Sequence, residues 1–362
     1  MRIVIIRYIH KIKGGFIMDT NEKFNSIYEK LKEMDFSRLE NDRKKARKGS
    51  KLFGIGCLPL LILEIGVLVE VVSLLQGDYE LFTVSEDAHP IYRNRLLIYI
   101  ICIIFVILGR AKDRKGEKLK SWYKNNYIKE LCTPFVKLIN PNYSYDYTKG
   151  IPQNDYNQVC VSGYSEYISN GLIMGTLNNG ASFEAGQVTT WDIDETRDSD
   201  GHVTRRKYVN FEGMCFKVNL PFNISAHNVR LRSDKGKDKP SLLDKLIPFN
   251  NIDKFKVKMD SEEFEKVFDV YATNKILAMQ IFTADIMMEL LDLHKTAINK
   301  YEITIENDKL YIGFANGEMF KAPGDLKVNV LDRDVLYNYF YRFQNDIQFI
   351  EKIIEIISKC NI

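Results

Sequence analysis

The sequence predicts an α+β chain: a two-pass transmembrane helical hairpin, then a cytosolic domain of antiparallel sheet packed with helices, ending in a long amphipathic helix. Three observations carry that expectation. Two apolar segments, Leu52 to Leu75 and Leu96 to Gly109, stand close together near the start, with Lys and Arg outside them and an acidic stretch between. Asn179-Gly180 and Asn307-Asp308 each divide two strand-like runs, the pattern of a β-hairpin. From Leu336 onward apolar residues recur at alternating spacings of four and three, the period of a helix with one buried face.

The chain opens with residues 1–17, which read as an extension upstream of a start at Met18, because Lys13-Gly14-Gly15 can be encoded by a ribosome-binding sequence. The alternative is a short basic amphipathic tail; its apolar run is too short for a secretory signal. Residues 18–50 form a cytosolic segment. Phe24, Ile27, Tyr28, Leu31 and Met34 trace an amphipathic helix, and Arg43, Lys44, Lys45, Arg47, Lys48 and Lys51 make a basic flank.

Residues 51–110 hold the hairpin. Leu52 to Leu75 is long enough to cross about 30 Å of hydrocarbon, which takes around 20 helical residues. Leu96 to Gly109 is shorter and draws support from its flanks. Arg110, Lys112, Arg114, Lys115, Lys118 and Lys120 follow it, whereas Asp78, Glu80, Glu86 and Asp87 lie between the segments. By the bias of basic residues toward the cytoplasm, a multi-pass protein of the plasma membrane with both termini inside is expected. The alternative is a buried helical hairpin in a soluble protein. Lys44, Lys45, Arg47, Arg110, Lys112 and Arg114 are the expected contacts to anionic lipid of the bilayer.

Residues 111–140 continue as a juxtamembrane helix through Leu119, Trp122, Tyr123, Tyr127, Leu131 and Phe135, stopped by Asn140-Pro141, with Trp122 read as a packing residue. Residues 141–330 form the α+β domain. Leu172 to Leu177 and Ser182 to Ile193 pair around Asn179-Gly180, and Lys207 to Leu220 returns after an acidic tip in which Asp200-Gly201 makes the turn. Val229 to Ser241 reads as a polar, Lys-rich loop. Asp260-Ser-Glu-Glu263 has capping-box spacing for a helix containing Phe264, Val267 and Phe268, and further helices start near Asn274 and at Thr283. Residues 331–362 are the closing helix. Its apolar set is Leu336, Phe340, Phe343, Ile347, Ile350, Ile354 and Ile357, widened by Ile353 and Ile356. That width favours packing onto the domain over a free coiled coil.

The composition excludes more than it assigns. A net charge of +3 over 362 residues gives no field to recruit nucleic acid. The 6 cysteines are scattered without a C-x-x-C pair, as suits reduced thiols, and the 5 histidines show no metal-ligand spacing. No motif supplies catalytic, cofactor-binding or metal-binding residues, and no cofactor is expected. Asp198-Ser-Asp-Gly201 lacks the remaining ligands of a calcium loop. Glu64 stands out, because a carboxylate within a membrane span is costly and usually faces a partner or water. Two functions therefore compete: a membrane-anchored interaction or regulatory domain with a protein partner or a second copy of itself, and a membrane enzyme or transporter-accessory subunit using Glu64.

Residues Asp260-Ser-Glu-Glu-Phe-Glu-Lys-Val-Phe-Asp-Val-Tyr-Ala-Thr-Asn274, with Ile281-Phe-Thr283 and Met287-Met-Glu-Leu-Leu291, resemble a bacterial membrane-protein family known as domain of unknown function 3137. Its core is Phe-Glu-x-x-Phe-x-Val-Tyr-Ala-Thr ahead of a helix. The likeness extends more weakly to Gly171 through Val188 and to Phe211-Glu-Gly-Met-Cys-Phe216. The resemblance implies a membrane-anchored cytosolic domain of the inner membrane and supplies no catalytic residues. This chain departs from the family pattern at Asn274 and Ala284, and Thr283 suits an N-cap, so the block reads as structural.

Overall fold

In a computed structural model, the described residues are 14–50, 114–159, 163–197, 203–224, 228–233 and 255–360. They divide into two compact units. Of the described residues, the first comprises those within 14–34, 131–321 and 333–360, the second those within 35–50, 114–130 and 322–332.

The first unit is built on a nine-stranded antiparallel sheet of order β1-β2-β3-β4-β9-β8-β5-β7-β6. Its strands are β1 Ser144–Asp146, β2 Glu166–Thr176, β3 Ser182–Arg197, β4 Val203–Asn219, β5 Val229–Ser233, β6 Lys256–Val257, β7 Phe268–Tyr271, β8 Tyr301–Glu306 and β9 Lys309–Phe314. Both expected turns are present: Gly180 and Asn307 take positive φ, 86° and 54°, which Gly and Asn adopt most readily. The helices of this unit are α1 Gly14–Lys32, α4 Thr133–Ile139, α5 Gln153–Val159, α6 Glu262–Glu265, α7 Lys275–Ile281, α8 Ala284–Thr296 and α9 Arg333–Ile357. A π-turn, Ile128–Cys132, precedes α4.

Helix α9 buries the whole expected stripe. Phe343 meets Tyr143 at 6.1 Å, Phe216 at 6.2 Å and Phe320 at 5.5 Å, and Phe349 meets Tyr301 at 4.6 Å and Phe314 at 5.6 Å. Near its start, Phe340 lies 5.6 Å from Phe24 of α1. Each such pair adds to the area it removes from water, so the helix is fixed in register by its aromatic residues. The capping chemistry holds as well. Asn274 Oδ1 accepts from the Leu277 N–H at 3.2 Å and Thr283 Oγ1 from that of Ile286 at 3.5 Å.

In the second unit, α2 Ser37–Ser50 and α3, residues 114–127, approach at a glycine pair, where a Cβ on Gly49 would meet Gly116 Cα at 3.1 Å. Arg43 is 3% exposed. Its guanidinium donates to the Leu326 carbonyl oxygen, to Glu40 Oε1 at 2.5 Å and, more weakly, to Asn329 Oδ1 at 3.4 Å.

Several expectations are corrected. The fold is a large antiparallel sheet with helices, and no helix among the described residues is long and apolar enough to cross a membrane. The two segments of the expected two-pass hairpin, 52–75 and 96–109, lie outside the described residues, as do residues 1–13 and the turn at Asp200-Gly201. Val229–Ser233 is not loop but β5, with Val229, Leu231 and Ser233 buried; the alternation Val-Arg-Leu-Arg-Ser is the strand signal that the neighbouring lysines obscured. Ser261 rather than Asp260 caps α6, which ends after one turn because Phe268 to Tyr271 is taken into the sheet. Trp122, expected to pack, is 56% exposed. Arg43, counted with the basic flank, is internal.

Two substitutions check this packing. A Cβ on Gly213 of β4 would overlap the Phe314 carbonyl oxygen, so Gly213→Ala should lower stability by about 3 kcal/mol in urea unfolding, while Gly163→Ala, with nothing within 4 Å, should change little. Arg43→Gln leaves the Leu326 carbonyl and Glu40 short of a donor and should cost about 2–3 kcal/mol, whereas Lys44→Ala, on an exposed side chain, should be near neutral by the same measurement.

Candidate functional site

A cleft of about 1060 Å³ runs beside α9 in the first unit. One wall is α9 itself from Arg342 to Glu355, with Ser358 just past its end; the others are the end of α8 with Ala297 to Asn299, the Asn178-Asn179 turn and Pro221-Phe222. The turn is tied to the helix, since the Asn178 N–H donates to Glu351 Oε1 at 2.9 Å. Phe222, Leu293, Phe314, Phe349 and Ile354 give the cleft an apolar surface. Amide side chains are set around it: Asn178, Asn179, Asn299, Asn345 and Gln348. The Asn345 Nδ2 group is buried and meets no acceptor among the described residues.

At one end lies a buried polar cluster. Asp346 is 5% exposed and lines the cleft; its Oδ2 accepts from Asn316 Nδ2 at 2.7 Å, and Asn316 Oδ1 accepts from the Met214 N–H at 3.1 Å. Arg342, partly buried one helical turn before Asp346, donates to the carbonyl oxygens of Gly317 at 3.2 Å and Glu318 at 3.4 Å. Gln187 closes the arrangement: its amide donates to the Gly317 carbonyl at 3.3 Å and accepts from the Met319 N–H at 2.9 Å. The segment after β9 is thus held by three side chains from β3, α9 and its own Asn316.

Burial pushes the Asp346 carboxyl well above its ordinary range, against the pull of Arg342 and of the Asn316 bond. Burial also lowers the Arg342 guanidinium, opposed by Asp346, Tyr339 and Glu212. The cleft thus sets amide donors and acceptors over apolar surface, with Arg342, Glu351, Lys352 and Glu355 also on its wall. Among the described residues no group of three or more His, Cys, Asp or Glu side chains is placed to hold a metal ion.

The residues singled out from the sequence lie elsewhere. Lys44 and Lys45 are exposed on α2, near Glu40 at 3.8 Å and Asp42 at 3.9 Å; Arg47 is partly buried on the same helix, and Arg114 is exposed at the start of α3. Glu64, Arg110 and Lys112 lie outside the described residues. Sequence reasoning missed Asp346, although one signal was available: an acid on the buried arc of α9 between Phe343, Ile347 and Phe349.

The carboxyl has a measurable consequence. Because its folded-state value is raised, the stability associated with Asp346 is complete below the ordinary carboxylate range and is lost as pH climbs through the raised value. Asp346→Asn should flatten that decline in urea midpoints measured across pH. Asp346→Ala, which leaves the Asn316 amide buried without its acceptor, should cost about 1–3 kcal/mol throughout.

Comparison with known proteins adds the following. No curated protein matches the sequence. The crystal structure of the mycobacterial trehalose monomycolate transport factor A, TtfA, is similar at 8% identity over 65% of this chain and 92% of that chain, with a TM-score of 0.30, too slight a likeness to carry fold or function. Residues 209–359 match the family described as Protein of unknown function (DUF3137), a stretch that contains β4 from Val209, the Tyr-Ala-Thr block and all of α9. The resemblance carried by Phe264 to Thr273 is thereby borne out over residues 209–359, which match the DUF3137 family.

Proposed function

We propose that this chain is an interaction domain that receives an extended segment of a partner protein in the cleft beside α9. The observation that carries the reading is the lining: amide side chains around an apolar surface, one of them with a buried N–H group that lacks an acceptor. An amide side chain offers both donor and acceptor, as a peptide group does, so a row of them suits a backbone more than a charged metabolite. The length also suits a chain. Arg342 to Glu355 spans about 20 Å of helix, which about six extended residues would match. Phe222, Leu293 and Phe349 give an apolar side chain of such a segment a place to lose its contact with water.

Replacing Gln348 with a photo-crosslinking amino acid in the full-length protein, in cells, tests this. The expected result is a recurring adduct that maps to one segment of another protein and weakens when Asn345→Leu is added to fill the cleft. No adduct, or the same adducts from the exposed control position Lys149, would count against it.

A further inference from the structure

The cleft carries one acid whose charge the described residues leave unanswered. Of the acids on its wall, Glu355 is exposed, Glu351 is half-buried and accepts from the Asn178 N–H, and Asp346 is 5% exposed. The Asp346 carboxyl receives a single hydrogen bond among the described residues, from the neutral amide of Asn316 to its Oδ2, and it belongs to no ion pair there. Its Oδ1 has no donor among them.

Arg342 stands one helical turn away, but its donors go to the carbonyl oxygens of Gly317 and Glu318. Its charge acts on two carboxylates, Asp346 and Glu212 of β4, so the group holds one cation against two acids. A carboxylate taken out of water needs a cation or several donors in place of that water, and one neutral amide is too little. Burial accordingly pushes the carboxyl toward its protonated form. For the fold alone, an Asn at this position would accept from Asn316 just as well and bury no charge.

The open side of Asp346 is the cleft, and Asn345, next to it on α9, has a buried Nδ2 group that meets no acceptor among the described residues. Together they describe what a ligand must bring. The carboxyl calls for a cation and the amide N–H for a carbonyl oxygen. A Lys or Arg residue within a peptide carries both, the cation at the end of its side chain and the carbonyl in its main chain. The rest of the wall agrees in sign, with Asp346, Glu351 and Glu355 against Arg342 and Lys352. On the reading of the cleft as the seat of an extended segment, we infer that Asp346 is the subsite for a Lys or Arg side chain of that segment, with Asn345 donating to a main-chain carbonyl beside it. The cation would then select which segment enters, while the apolar surface and the amides hold whatever chain has entered.

The test uses the photo-crosslinking amino acid at Gln348 of the full-length protein in cells, with the adduct mapped to single residues by mass spectrometry. Asp346 and Gln348 lie about 3 Å apart along the helix axis, so a Lys or Arg is expected within about three residues of the mapped position. Asp346→Asn, which keeps an acceptor for Asn316 and removes the charge, should lower the yield about tenfold. A change in the partner leaves this fold untouched: replacing the mapped Lys or Arg with Gln should lower the yield about tenfold against the unsubstituted protein and no further against Asp346→Asn. A segment with no Lys or Arg in reach, or a yield that neither substitution lowers, would overturn the inference and leave the cleft as the seat of a segment. No adduct, or the same adducts from Lys149, would overturn both.

Discussion

The structure depends on one constraint: the apolar stripe of α9 must be covered, and in the first unit the sheet covers it. A helix of 25 residues cannot leave so many aromatic and branched side chains in water, and α9 buries Leu336, Phe340, Phe343, Ile347, Ile350, Ile353, Ile354 and Ile357. Phe343 and Phe349 place the helix against strands distant in sequence, through Phe216 on β4 and through Tyr301 and Phe314 on β8 and β9. Helix α1 then finds its own cover, with Phe24 against Tyr337 and Phe340 of α9. The N-terminal and C-terminal helices of this unit are stabilised by the same aromatic contacts.

The cleft follows from that arrangement. Past Asp346, α9 runs on beside the end of α8, the Asn178-Asn179 turn and Pro221-Phe222, and the space between them is not filled by the chain's described side chains. At the near end the sheet gives way to an irregular segment whose backbone groups need partners, and Gln187, Asn316 and Arg342 supply them. Asp346 is buried because Asn316 is there to donate to it. A buried carboxyl with a raised pKa has a physical cause here, the loss of water, and its hydrogen bond offsets only part of that loss.

Much of this was legible in the sequence where the signal was local. Asn179-Gly180, Asn307-Asp308, the caps at Asn274 and Thr283 and the period of α9 are each written within a few residues, and each appears where the residues put it. What was not legible depends on distant partners. Phe268 to Tyr271 continues a helical run on paper, yet β5 and β6 draw it into the sheet as β7. Val229 to Ser233 reads as a strand only if the lysines after it are set aside. The cleft joins five separate stretches of chain, and no single one announces it.

Basic residues make the same point most sharply, because their sequence context was similar and their fates are not. Arg43 stands beside Lys44 and Lys45 in one run, but the fork of its guanidinium reaches a backbone carbonyl and a carboxylate inside the second unit, while the two lysines remain in water. Arg342 sits on the helix that carries the core of the first unit and spends its donors on two carbonyl oxygens of an irregular segment. Arg206 lies in a run of three cations, of which Arg205 and Lys207 are turned to acids on neighbouring strands. A count of charge along the chain treats these as equal. Geometry separates them: a buried cation is committed to the fold by the groups that replace its water, and only one that keeps its hydration and its free donors can be offered to another molecule.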